Sequence, residues 1–268
     1  MVRMIRFVKF VLALLVTSVS LASPKAYAAG SVHFINYYEM LLRSFGLTDP
    51  RIIEDWKVVP GAVLTLILLI VLGWKFKTSL EASGDDVRPD GKLSVRTVVE
   101  AVLDFVSRLA QDVIGHGFEA FLPLLTGMFL FIYVSNLTGL VPGFTPATES
   151  LSTNLSMGLM VFLVYNVSGV RANGVGYLKH FLGPVWWLAP LMLAIEVIGH
   201  CVRPFSLSLR LYGNIYGDHL VLGVFTGLVP LVMPAVLLVF GLLVASVQSF
   251  VFTLLTSIYI SMATSHDH

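Results

Sequence analysis

The run VVPGAVLTLILLIVLGW (58–74) carries no charged side chain, and the chain returns to such runs again and again. Stretches of this length and composition read as helices crossing a bilayer. Only 12% of the 268 residues are charged and 56% are hydrophobic. An ordinary globular domain carries about 25% charge, so the expected class is a membrane protein. The formal net charge of +1 gives no basic field for nucleic acid. The single cysteine, Cys201, excludes an internal disulfide and a multi-cysteine metal site. No His/Cys cluster and no Gly-rich phosphate loop stands out, so no catalytic centre, metal or cofactor is expected.

The fold class expected is an all-α polytopic membrane protein with about five spans. The first runs from about Val58 to Trp74, with Trp56 and Trp74 at its edges, where amphipathic rings favour the interface. FLPLLTGMFLFIYVSNLTGLVPGF (121–144) is the second, and the third runs from about Leu151 to Val170. Residues 181–229 are apolar but interrupted by Glu196, Arg203, Arg210 and His219. VPLVMP (229–234) is a turn candidate, and a last run extends from Ala235 to Met262. SVRTVVEAVLDFVSRLAQDVIGH (94–116) differs from all of these. Its apolar residues recur every three or four positions, with Arg96, Glu100, Asp104, Arg108 and Asp112 on the other side. That pattern predicts an amphipathic helix lying on the membrane surface or against other helices.

Residues 1–28 have the layout of a secretory signal peptide: Arg3, Arg6 and Lys9, an apolar run from Phe10 to Leu21, then Ala26-Tyr27-Ala28 as a small-x-small cleavage site. An uncleaved first helix is the rival reading. Either way residues 29–57 form an external segment and 58–268 a membrane domain, which implies a bacterial inner membrane. Lys and Arg in the loops set the orientation. The 75–117 loop holds Lys75, Lys77, Arg88, Lys92, Arg96 and Arg108 and falls inside. The 141–150 loop holds none and falls outside. Alternation puts the C-terminus inside.

The segment RPFSLSLRLYGNIYGDHL (203–220) holds the residues that need explaining. An ionisable group in a membrane helix costs several kcal/mol, so it marks a functional site by default. Arg203 precedes Pro204 and can snorkel to an interface; Arg210 has apolar sequence on both sides. On a helical wheel Arg203, Ser206, Arg210, Gly213, Asn214 and Gly217 share a face, and small residues on it allow a close helix partner. Glu196 falls within about 40° of Arg210, while His219 falls roughly 180° away. In the last run the hydroxyls of Ser246, Ser249, Thr253 and Thr256 are of the kind that bond their own backbone. Gln248 carries a primary amide that needs partners, so it is expected to face the Arg210 helix or a wet cavity.

RPFSLSLRLYGNIYGDHL resembles the signature segment of subunit a of the F-type ATP synthase family, the proton-channel subunit of its membrane sector. NLTGLVPGFTPATESLSTNLSMGL (136–159) is similar to that family's second-to-third-span hairpin, and SVQSFVFTLLTSIYISMA (246–263) to its last helix. The resemblance implies two half-channels beside a ring of c subunits, with the last two helices facing the ring, b subunits of a peripheral stalk as further partners, and no catalytic site in this chain. Arg210 matches the essential arginine that draws the ring carboxylate into its ionised form. A guanidinium suits that role because it keeps its charge in any protein setting, whereas a desolvated lysine can lose its proton. Asn214, Gln248 and Ser206 match polar positions of the family, and Glu196 its acidic residue near the cytoplasmic exit. The family pairs an acid with a histidine across the last two helices. One member aligns with His219; the other falls on Gly241. That leaves Asp218 or Glu149 to work with His219, and space at Gly241 that water can fill. His116, His180 and His200 match no motif position. A secondary transporter would show inverted repeats, of which there is no sign. A membrane scaffold would not need Arg210 and Glu196 in apolar surroundings.

Overall fold

The computed structural model describes residues 37–46, 49–82, 94–141, 143–174, 189–228 and 232–264. The signal-peptide reading and residues 29–36 and 47–48 of the external segment lie outside the described residues, as do His180 and residues 229–231 of the predicted turn. All regular structure among the described residues is helical. Two short helices, α1 (Tyr37–Ser44) and α2 (Pro50–Trp56), lead into α3 (Val58–Ala82). Then come α4 (Val95–Ile114), α5 (Leu122–Gly139), α6 (Leu151–Asn173), α7 (Ala189–Leu228) and α8 (Val232–Thr264). Five helical stretches are long and apolar enough to cross a membrane: residues 50–81, 122–139, 151–173, 191–218 and 236–264.

Local chemistry sets several borders. Asp49 caps α2 by accepting the Arg51 N–H at 3.0 Å, with Pro50 in the first turn. Ser94 caps α4, accepting from the Thr97 N–H at 3.3 Å. Gly115 takes a positive φ of 73° just past the end of α4, a backbone shape that glycine adopts without strain. Spans α3 and α6 outrun the predicted ends at Trp74 and Val170. Around the end of α3 the cause is plain: Lys77 and Glu81 pair at 3.6 Å, and such i,i+4 pairs carry a helix into the polar zone.

The core forms where α5, α6, α7 and α8 converge. Leu124, Ile132, Met157, Leu211 and Ile260 have no accessible surface there. Outward-facing Val63, Ile67, Ile70 and Val71 of α3 stay exposed, as lipid contact requires. Helix α4 lies against its neighbours through Phe105, which meets Phe129 of α5 at 6.0 Å and Phe250 of α8 at 5.8 Å. One residue of its polar side departs from the pattern. Arg96 is buried and donates to Glu100 at 2.7 Å, so one cation is turned inward and paired.

The hairpin between α5 and α6 is tied down by polar side chains in an apolar setting. Thr148 donates from its hydroxyl to Asn136 Oδ1 at 2.8 Å and from its backbone N–H to Ser135 Oγ at 3.3 Å. Asn154 Nδ2 donates to the Thr148 carbonyl at 2.8 Å. Lys57 and Glu149, both half-buried, pair at 3.5 Å and fasten the hairpin to the start of α3. Phe144 of the hairpin packs edge-on against Tyr38 of α1, and burial pushes the Tyr38 phenol up from its ordinary value.

Candidate functional site

Helix α7 positions the site. It packs on α6 at Gly158, where an added Cβ would lie 2.6 Å from Ser208 Oγ and 2.7 Å from the Pro204 carbonyl. Only hydrogen fits at that crossing, which is how small residues bring membrane helices together. Pro204 has no N–H, so one rung of the α7 ladder is lost. Ser208 Oγ bridges the crossing, donating toward Pro204 O at 2.7 Å and Asn154 O at 2.9 Å.

This packing decides which way Arg210 points. Pro204, Leu207, Ser208, Leu211 and Ile215 are buried against the rest of the chain. Arg210 is on the open side, exposed together with Ser206, Leu209 and Gly213. The small residues at Gly213 and Gly217 have no neighbour within 4 Å of an added Cβ. A permanent cation therefore sits mid-helix on a strip that none of the described residues covers.

One turn further along, Asn214 Nδ2 donates to Gln248 Oε1 at 2.6 Å. The Gln248 amide, 4% exposed, thus turns to the Arg210 helix. The hydroxyls around it do not join in. Ser246, Ser249, Thr253 and Thr256 each donate to the carbonyl four residues earlier. Beyond the amide pair lies a cavity of about 130 Å³ lined by Asn136, Asn214, Asp218, Gly241 and Gln248 among apolar side chains. A wider groove of about 380 Å³ adjoins Asn214, Asp218 and Gln248 from the α7–α8 seam. Polar groups of three helices, α5, α7 and α8, thus meet along one route on one side of Arg210.

One expectation for this region changes. Gly241 does not leave its own space open: the Leu140 Cδ2 methyl stands 2.5 Å from where a Cβ would be. The cavity passes beside Gly241 instead. Glu149, one of the two acids left for His219, is engaged with Lys57 and lines neither cavity; Asp218 lines both. The backbone of His219 belongs to α7, and its side chain is outside the described set.

On the other side of Arg210, Glu196 pairs with His200, Oε1 to Nδ1 at 3.4 Å. Arg203 stacks over the Tyr259 ring at 5.5 Å, and Tyr165 lies 5.7 Å from the His200 ring and 6.0 Å from Tyr259. Arg203 is thus held by an aromatic face rather than by snorkelling alone. His200 and Asn136 are the residues that the sequence left unassigned. The i,i+4 spacing from Glu196 pointed to the first, and a primary amide within an apolar span pointed to the second. Among the described residues no group of His, Cys, Asp and Glu is arranged to hold a metal ion.

The comparisons with known proteins give the family. The profile of the family described as ATP synthase A chain matches residues 58–261. The chain is 43% identical over 228 residues to an ATP synthase subunit a of Bdellovibrio bacteriovorus, covering 84% of this chain and 100% of that one. It is 49% identical over 174 residues to an ATP synthase subunit a 2 of Syntrophotalea carbinolica, covering 65% and 74%. It is 38% identical over 238 residues to an ATP synthase subunit a of Citrifermentans bemidjiense, covering 88% and 97%.

Proposed function

Because this chain belongs to the ATP synthase subunit a family, we propose that it is the proton-translocating stator subunit, working beside a ring of c subunits that each carry one carboxylate. The observation that carries this reading is the exposure of Arg210 on a strip of α7 that no other described residue covers. A cation bare to hydrocarbon would cost several kcal/mol. A ring carboxylate facing it removes that cost. The small side chains at Gly213 and Gly217 let a partner helix come close.

The mechanism follows from charge. A protonated, neutral ring carboxyl can turn through lipid. When it reaches Arg210 the guanidinium favours its ionised form, and the proton leaves to one half-channel. The next carboxylate is reprotonated from the other half-channel before it meets lipid again. Arg210 separates the two routes, because a fixed positive charge between them repels a proton passing straight through. The outer half-channel runs along Asn136, Asp218, Asn214 and Gln248, with His219 about 13 Å outward of Arg210 along the helix. Asp218 is the acid that works with His219. The inner one leads toward Glu196, about 21 Å from Arg210 the other way. Ser206 lies on the ring-facing strip.

The same reading assigns b subunits as stalk partners and a bacterial inner membrane as the location. The N-terminal segment is external, after cleavage near Ala29, and the C-terminus is cytoplasmic. Cysteine cross-linking tests the ring contact. In a Cys201→Ser background, Leu209→Cys should cross-link to a ring subunit in membranes, while Val63→Cys on α3 should not. Cross-linking from Val63→Cys and none from Leu209→Cys would overturn the ring-facing assignment.

A further inference from the structure

We infer that His200 is a proton-transfer residue of the inner half-channel, acting as a pair with Glu196; this deepens the function proposed above and rests on it. His200 is 8% exposed, and its Nδ1 lies 3.4 Å from Glu196 Oε1. Glu196 itself is half-exposed. The pair therefore joins a buried acceptor to an acid that reaches the surface of the chain.

The groups around the imidazole fit transfer. Glu196 and Arg203 face it from α7, Tyr165 from α6, and Tyr259 stands behind Tyr165 and Arg203 from α8. The Arg203 guanidinium, fixed over Tyr259, disfavours a long-lived second cation beside it. The Glu196 carboxylate favours arrival of a proton and offers the place for it to go. The step balances. His200 takes a proton released near Arg210, about 15 Å away along the helix, a distance that water would have to bridge. Nδ1–H then gives that proton to the Glu196 carboxylate, leaving neutral imidazole and a neutral acid. The acid returns it to water and is a carboxylate again. In ATP hydrolysis the steps run backward. A resting separation somewhat longer than a hydrogen bond is usual for groups that close up only during transfer. An imidazole is apt because it changes charge within about pH 5–8.

A merely structural i,i+4 pair would brace the helix and nothing more. Passive proton conduction through inverted vesicles stripped of the catalytic head separates the two roles. The pH on the Glu196 side is varied at constant membrane potential. His200→Gln keeps the size and hydrogen bonding but cannot titrate. It should lower conduction several-fold and flatten the dependence on that pH. Glu196→Gln should do the same, and the double variant should be no worse than either single one. Wild-type rate and pH profile in His200→Gln, or losses that multiply in the double variant, would overturn the inference. Should His200→Gln not assemble, Glu196→Gln alone decides, and an unchanged pH profile there refutes the pair. ATP-driven pumping in Arg210→Ala keeps the outcomes apart. Normal pumping in Arg210→Ala sinks the proposed function itself. Blocked pumping there, with His200→Gln unaffected, sinks only the role of His200.

Discussion

Asn214 of α7 and Gln248 of α8 are joined by a 2.6 Å hydrogen bond one helical turn from Arg210. The bond holds the two long helices in register where the polar route reaches the cation. Breaking it from the buried side is the sharper test. Gln248→Leu removes the acceptor of that bond while Asn214 stays on the exposed side of α7, so the loss is that of one hydrogen bond, about 0.5–1.5 kcal/mol. The purified subunit should melt at a lower temperature, and proton conduction should fall several-fold. Asn214→Leu combined with Gln248→Leu should recover much of the stability but not the conduction. Recovery of both would make the pair structural only.

Gly158 sets the α6–α7 crossing. Gly158→Val places methyl groups against the Pro204 carbonyl and Ser208 Oγ, and the backbone atom cannot give way. Overpacking of this kind costs about 1–3 kcal/mol. The variant should show faster proteolysis in detergent and poor assembly. Ser208→Ala should relieve it only in part, since the carbonyl remains. Full rescue by Ser208→Ala would mean that the carbonyl contact is not limiting.

Gly241→Glu would restore an acid at the position where the family's pair expects one. Its Cβ meets only the end of a flexible leucine, Leu140 Cδ2. The side chain must therefore push Leu140 aside before its carboxylate reaches the cavity. Gly241→Glu alone should assemble less well than Gly241→Glu with Leu140→Ala. In the double variant, ATP synthesis should change its dependence on external pH. An unchanged profile in a well-assembled double variant would show that the route bypasses position 241.

Much of this arrangement was legible in the sequence, because lipid imposes a simple rule on span composition. The five spans read directly from apolar runs, and α4 from its periodicity. Arg210 stood out because nothing else in lipid explains a guanidinium there. Gln248 declared its direction through its amide. What the sequence hid depended on contacts between distant segments. Leu140 and Gly241 are far apart in the chain, so the filling of that gap could not be read from Gly241. The inward turn of Arg96 depends on how α4 rolls against its neighbours. His200 was passed over because it matched no motif position, although its spacing from Glu196 was already on view.

The mature chain should begin near Ala29. The basic, apolar and small-residue layout of residues 1–28 motivates this. Intact-mass spectrometry of the purified subunit checks it. A terminus at Met1 would favour an uncleaved helix.

ATP-driven proton pumping by Arg210→Ala tests the central claim most directly. Inverted vesicles are loaded with a pH-sensitive dye, and assembly is checked by copurification of this chain with the ring. The account predicts a fully assembled complex with no ATP-dependent acidification, because without the fixed cation the ring carboxylate is not held ionised and the two half-channels are no longer kept apart. Normal acidification in the assembled variant would contradict it.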